Sequence, residues 1–175
     1  LDREVFQKVE FVDATQDQFV FVEFDYSFGE SPEEQRRKEL YQELADRFLV
    51  KDFPTVVLAE RAGRPFAYFI GYEDGFGHEA YLDRIRRAVS DYQQLRAVTS
   101  SQAAEGEKLR ATAEALTNVA GHIDVSDDHD PFLHFYSEYV KRMLAALPKD
   151  DRHRQTLKSR QREQIAESAR AALWK

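Results

Sequence analysis

Val50-Lys51-Asp52-Phe53-Pro54-Thr55-Val56-Val57-Leu58 is the stretch on which the reading of this chain turns. A proline directly before Thr-Val-Val-Leu is unusual, because proline cannot donate to a β-ladder and restricts the residue ahead of it. The stretch therefore reads as a strand over about 55–60, entered through a bend that Pro54 fixes. Downstream, Ala62-Gly63-Arg64-Pro65 supplies a turn and Phe66 to Ile70 a second strand, so an antiparallel hairpin is expected. Upstream, Ser31 is the expected N-cap of a helix over about 32–48, with Pro32 at N1 and Glu34 completing a capping box. Leu40, Tyr41, Leu44, Ala45 and Phe48 form its apolar stripe.

Further toward the N-terminus, Phe19-Val20-Phe21-Val22-Glu23-Phe24-Asp25 is aromatic, β-branched and apolar on both faces. Such a run predicts a strand covered on both sides, as parallel strands are. Residues 1–8 read as the end of a helix, with Leu1, Val5 and Val9 at i, i+4 spacing and no start signal, as if the helix were cut through. Beyond the hairpin, Gly71-Tyr72-Glu73-Asp74-Gly75-Phe76-Gly77 is a glycine-rich loop. Tyr81, Leu82, Ile85, Ala88, Val89, Tyr92 and Leu95 then mark a long amphipathic helix.

After Ser100-Ser101 every segment reads as helical. One helix carries Leu109, Ala113, Leu116 and Ala120 and ends near Gly121. The next starts at Asp130 (N-cap) and Pro131 (N1), carries Phe135, Tyr136, Tyr139, Val140, Met143, Leu144 and Leu147, and is stopped by Pro148. A third, sparsely apolar, runs from about Asp150 to Trp174 with Leu157, Ile165, Ala169 and Leu173. The expected division is an α/β part over 1–98 and an all-helical part over 99–175.

Composition narrows the function classes. The 175 residues are 42% hydrophobic and 13% aromatic, enough for a core, and carry a formal net charge of −7, which argues against general binding to nucleic acid or anionic membranes. No apolar run approaches the ~18 residues of a membrane span, and no signal-peptide pattern opens the chain. There is no cysteine, which excludes disulfides, thiolate metal sites and thiol nucleophiles among these residues.

The order of helix end, buried strand, helix, proline-led strand, glycine turn, strand, glycine-rich loop and helix resembles a thioredoxin domain that lacks its front. Leu44-Ala45, Phe48, Val50, Phe53-Pro54-Thr55-Val56-Val57-Leu58, Gly63 and Gly71-Tyr72 carry the resemblance. The opening Leu1-Asp2-Arg3-Glu4-Val5-Phe6 is similar to the stretch that follows the redox motif in a bacterial group of thioredoxin-like thiol-disulfide isomerases. In that group a strand ends in Trp-Cys-x-x-Cys, and the active-site helix continues with a Leu-Asp-x-Glu-Val-Phe-like segment. The resemblance covers about 1–95 and implies an α/β, thioredoxin-like three-layer sandwich, missing its first strand and dithiol, with an all-helical C-terminal extension.

The resemblance further implies that Pro54 is a cis-proline. The backbone of Phe53 would pair with bound peptide as a short strand, with Thr55 completing the substrate-binding lip. Asp52 departs from the small residue common there. The missing dithiol would stand just before Leu1, where a helix N-terminus would lower a thiol pKa. Without the strand that leads into it, the runs at 19–25 and 55–60 would each lose a hydrogen-bonding edge. Three remedies are open: upstream residues, another chain in the slot, or a different sheet order, of which the first is the expectation. The implied partner is a protein or peptide at the Pro54 loop, and an exported or periplasmic location follows from the resemblance only. No cofactor is expected. This cysteine-free chain is expected to lack thiol-disulfide exchange itself. The alternative is a non-redox peptide- or protein-binding module whose helical tail docks or oligomerises.

Four other constellations in the sequence bear on chemistry. Asp127-Asp128-His129-Asp130 with His122 and His134 has the ligand types of a divalent-metal site, but Asp130 is better used as an N-cap. Asp25 with Glu73-Asp74 could form an acid-base carboxylate pair, though Asp25 reads better as a strand-terminating polar residue. Lys149, Arg152, His153, Arg154, Lys158, Arg160 and Arg162 could dock an acidic partner, but their spacing winds around a helix and favours a solvated face. Phe132, Phe135, Tyr136 and Tyr139 at helical spacing favour core or an interface over a stacking platform. No nucleotide or nucleophile-elbow fingerprint occurs.

Overall fold

The structure, a computed structural model, describes residues 1–27, 29, 31–73, 75–125 and 130–173. It is 62% helical, and the sheet it contains is a two-stranded antiparallel one. The expected α/β, thioredoxin-like three-layer sandwich is therefore not what this chain forms. After a π-helical segment at Asp2–Phe6 come α1 (Val9–Thr15), α2 (Pro32–Phe48), β1 (Thr55–Ala59), β2 (Pro65–Ile70), α3 (Gly77–Ser100), α4 (Glu105–Ala120), α5 (Pro131–Phe135), α6 (Ser137–Ala146) and α7 (Arg152–Leu173).

The main departure lies at 19–25, where no strand forms. Val20 is 93% exposed, Val22 66% and Phe21 52%. Strand propensity measures how well a side chain fits a pleated, half-buried surface, and no neighbouring strand supplies that surface here. The expected helix end at 1–8 is also different, being a π-helical turn followed by the separate helix α1.

Where the sequence signals are local, they match the elements. Ser31 caps α2 by accepting from the Glu34 backbone N–H while the Glu34 carboxylate accepts from the Ser31 N–H, and Pro32 holds the first position. Those Ser31 bonds, side chain before backbone, hold the Glu34 carboxyl below the ordinary carboxylate range. The helix ends at Leu49 in the left-handed region (φ 57), an unusual conformation for a branched residue. Of the expected stripe on α2, Ala45 is buried and Leu40 is half exposed.

Chain packing divides the molecule into two compact units: Leu1–Thr55 with Gly71–Arg84, and Val56–Ile70 with Ile85–Lys175. In the first, Val5 and Phe11 are buried, with the Phe6 ring edge-on to Phe11 (5.2 Å) and to Tyr81 (5.8 Å). The Tyr72 hydroxyl donates to Glu4 at 2.6 Å, and that bond, ahead of the Gly75 backbone N–H, holds the Glu4 carboxyl below its usual range.

The second unit has the larger core. The turn between β1 and β2 closes through Glu60 N–H to Arg64 O (3.0 Å), with Gly63 at φ 84. β2 is buried from Pro65 through Phe69, and its outer edge is occupied. The Tyr68 backbone N–H donates to His122 O (2.9 Å) and its carbonyl accepts from Asp124 N–H (3.1 Å), while the Asp124 carboxylate accepts from Ile70 N–H (2.9 Å). α4, α6 and α7 pack on one another, burying Leu116, Val119, Val140, Met143 and Leu157. Asp130 caps α5 by accepting from Phe132 N–H (2.9 Å). The single helix expected from Pro131 to Leu147 is broken at Tyr136, whose buried ring stacks on Phe132 (5.2 Å) and whose hydroxyl donates to Pro65 O (3.0 Å). That tertiary anchor overrides the continuous helical period.

Candidate peptide-binding surface

The Phe53–Pro54 peptide is cis, the geometry that the resemblance implied for Pro54. The loop is tied on both flanks. Thr55 Oγ1 donates to Asp52 O, and Gly71 N–H donates to Pro54 O at 2.8 Å. Gly71 stands at φ 74, so a side chain there would be strained although the space is open. Between the ties, Phe53 is 62% exposed and Pro54 is also exposed.

Phe53 does not stand alone. Its ring lies 4.9 Å from that of Tyr26, Tyr26 lies 5.8 Å from Tyr41, and Tyr41 lies 4.9 Å edge-on from Phe24. The Tyr26 hydroxyl donates to Tyr41 O at 2.9 Å, fixing the row to α2. Desolvation, followed by the nearby Asp46 charge, raises the Tyr26 phenol above its ordinary range, so it stays neutral and can donate at neutral pH. The result is a row of four rings next to the exposed run Val20-Phe21-Val22. The expected lip residues Phe53, Pro54 and Thr55 lie on this loop, whereas Phe24, Tyr26 and Tyr41 in the row were not among the expected site residues. The alternation of Phe24 and Tyr26 at i, i+2 was the available signal.

The other constellations fall differently. Asp127, Asp128 and His129 lie outside the described residues, as does Asp74. Asp130 is committed to capping α5 and to Arg160. His122 Nε2 sits 2.7 Å from the Asp91 carboxylate, and the His134 ring packs against Phe135. Among the described residues, no group of three or more His, Cys, Asp or Glu side chains is placed to hold a metal. Asp25 accepts from its own turn at Ser27 N–H (2.8 Å), which holds its carboxyl low and makes it a turn cap.

The basic cluster is not one solvated face. Arg154 donates to Leu144 O (3.0 Å), and the Arg160 side chain is only 16% exposed. Of the four aromatic residues at 132–139, Phe132 and Tyr136 are buried and Phe135 and Tyr139 half-buried, as core residues would be. No described helix is long and apolar enough to cross a membrane. Comparison with protein-family models, with curated proteins and with solved structures gives no match.

Proposed function

We propose that the row Phe53, Tyr26, Tyr41 and Phe24 binds an extended segment of a protein partner. On this reading the chain holds polypeptide substrates, as a relative of the thiol-disulfide isomerases that its residue pattern resembles. The observation that carries the reading is Phe53: a large ring 62% exposed at the tip of a loop pinned on both sides. A preorganised aromatic side chain loses little entropy on binding, and such anchors dominate interface energies. The kinship with the isomerases rests on the residue pattern at 1–6 and 44–72. Thiol-disulfide exchange needs a thiolate to attack a sulfur, and the 175 residues contain none, so this chain holds substrate and does not exchange disulfides.

The test uses fluorescein-labelled insulin B chain with alkylated cysteines, an extended polypeptide with no free thiol. Saturable binding is expected, and Phe53→Ala should weaken it about tenfold, corresponding to ~1.4 kcal/mol. An affinity unchanged by Phe53→Ala would sink the assignment of the loop. In an insulin-reduction assay the chain alone should leave the disulfides intact.

A second reading is favoured by the exposed run at 19–24: two copies pair through it as strands. Consecutive exposed apolar and β-branched residues with unused backbone pairing capacity invite edge-to-edge association. Gel filtration should then give a concentration-dependent mass above 20.4 kDa, and Val22→Lys should restore the monomer. A monomer at every concentration removes this reading and leaves the Phe53 surface untouched.

A further inference from the structure

We infer that the second unit carries a binding site for a small organic monocarboxylate, in a cleft between α4, α6 and the C-terminal end of α3. The cleft has a volume of about 350 Å3, within the size range of small-molecule sites. Its most informative wall residue is Thr112, which is only 6% exposed. Every other threonine in a described helix donates its hydroxyl to the carbonyl four residues back. Thr15 bonds Phe11 O at 2.7 Å, Thr99 bonds Leu95 O at 2.8 Å, Thr117 bonds Ala113 O at 2.7 Å and Thr156 bonds Arg152 O at 3.1 Å. Thr112 makes no such bond and no other hydrogen bond among the described residues. The Thr112 hydroxyl is thus free to bond a molecule in the cleft that it lines.

The remaining wall defines the ligand. Arg142 forms no hydrogen bond or ion pair among the described residues, and Lys108 donates once, to Ser101 O at 2.7 Å, leaving two N–H groups unused. Glu105 is the one carboxylate on the wall, so its charged groups sum to one positive charge and match a monoanion. A planar carboxylate suits the fork of a guanidinium. Met143, Leu109 and the Tyr139 ring supply apolar contact that an inorganic anion would not use, and the volume exceeds what such an ion fills.

Calorimetric titration of the full chain with octanoate at low salt, beside 1-octanol and inorganic phosphate, tests this. Octanoate should bind one to one, at least fivefold more tightly than either comparator. Arg142→Gln and the isosteric Thr112→Val should each weaken octanoate at least fivefold, with circular dichroism unchanged. Thr112→Val alone could disturb packing, so the exposed Arg142→Gln is the decisive variant. Octanol binding as tightly as octanoate would overturn the recognition of charge, and phosphate binding as tightly would overturn the apolar body. No saturable octanoate binding, or an affinity indifferent to Arg142→Gln, would overturn the site.

Discussion

Arg160→Met should lower the unfolding free energy by about 3–5 kcal/mol, the range for leaving a buried charge without its partner. Arg160 on α7 gathers four separate features of its unit. It donates through two nitrogens to the Asp130 carboxylate, to Ala120 O at the end of α4 and to Ile123 O (2.7 Å) beyond it. Its guanidinium also lies 4.9 Å from the centre of the Phe132 ring. Asp130 is 2% exposed in its side chain, so removing the arginine strands a carboxylate with almost no access to water. Two buried carbonyls lose a donor at the same time.

The double variant Arg160→Met/Asp130→Asn should recover much of that loss. Asparagine keeps the N-cap of α5 while removing the uncompensated charge. Urea unfolding midpoints of the wild type, both single variants and the double variant check the scheme. Equal midpoints for Arg160→Met and wild type would show that the clamp contributes nothing.

Alkaline conditions should destabilise the same unit steeply. Tyr68 and Tyr136 are each 1% exposed, and desolvation pushes both phenols well above the ordinary tyrosine range. Tyr92 shifts the same way through desolvation and the hydrogen bond to Glu60, partly offset by Arg64. In the unfolded chain these phenols ionise near pH 10, while the folded chain keeps them protonated. Below that pH both states hold the proton and the stability term is fully present. Above it the unfolded state binds fewer protons, so stability is lost as pH rises.

The slope is about 1.4 kcal/mol per pH unit for each such tyrosine, roughly 3 kcal/mol per unit for Tyr68 and Tyr136 together. Tyr136→Phe should cost about 1 kcal/mol at pH 8, where it loses the bond to Pro65 O, yet flatten the alkaline fall by one tyrosine's share. Denaturant titrations between pH 8 and 12 distinguish the two effects. Parallel slopes for variant and wild type would rule out Tyr136 as a contributor.

The two constellations that mattered most were only half legible. Asp130-Pro131 announced a helix start, because an N-cap is a contact between residues two or three apart. That Arg160 and no other member of the basic cluster would reach this cap was not legible, since the cluster winds around α7 and only packing selects the inward residue. Phe53-Pro54-Thr55 was found from the oddity of proline before a strand. The rings of Tyr26, Tyr41 and Phe24 came from two segments whose proximity no local pattern encodes.

By itself the sequence determined the capped helix at Pro32–Phe48, the hairpin around Gly63, the helical second half and the absence of any sulfur nucleophile. Each is settled by contacts within a few residues or by composition alone. Only the tertiary structure decided that 19–25 lies unpaired, that the helix after Pro131 breaks at Tyr136, and which arginine reaches the buried Asp130. The physical reason is common to all three. A strand, a break and a buried charge depend on partners distant in the chain, and a residue pattern states a capacity for such partners without supplying them.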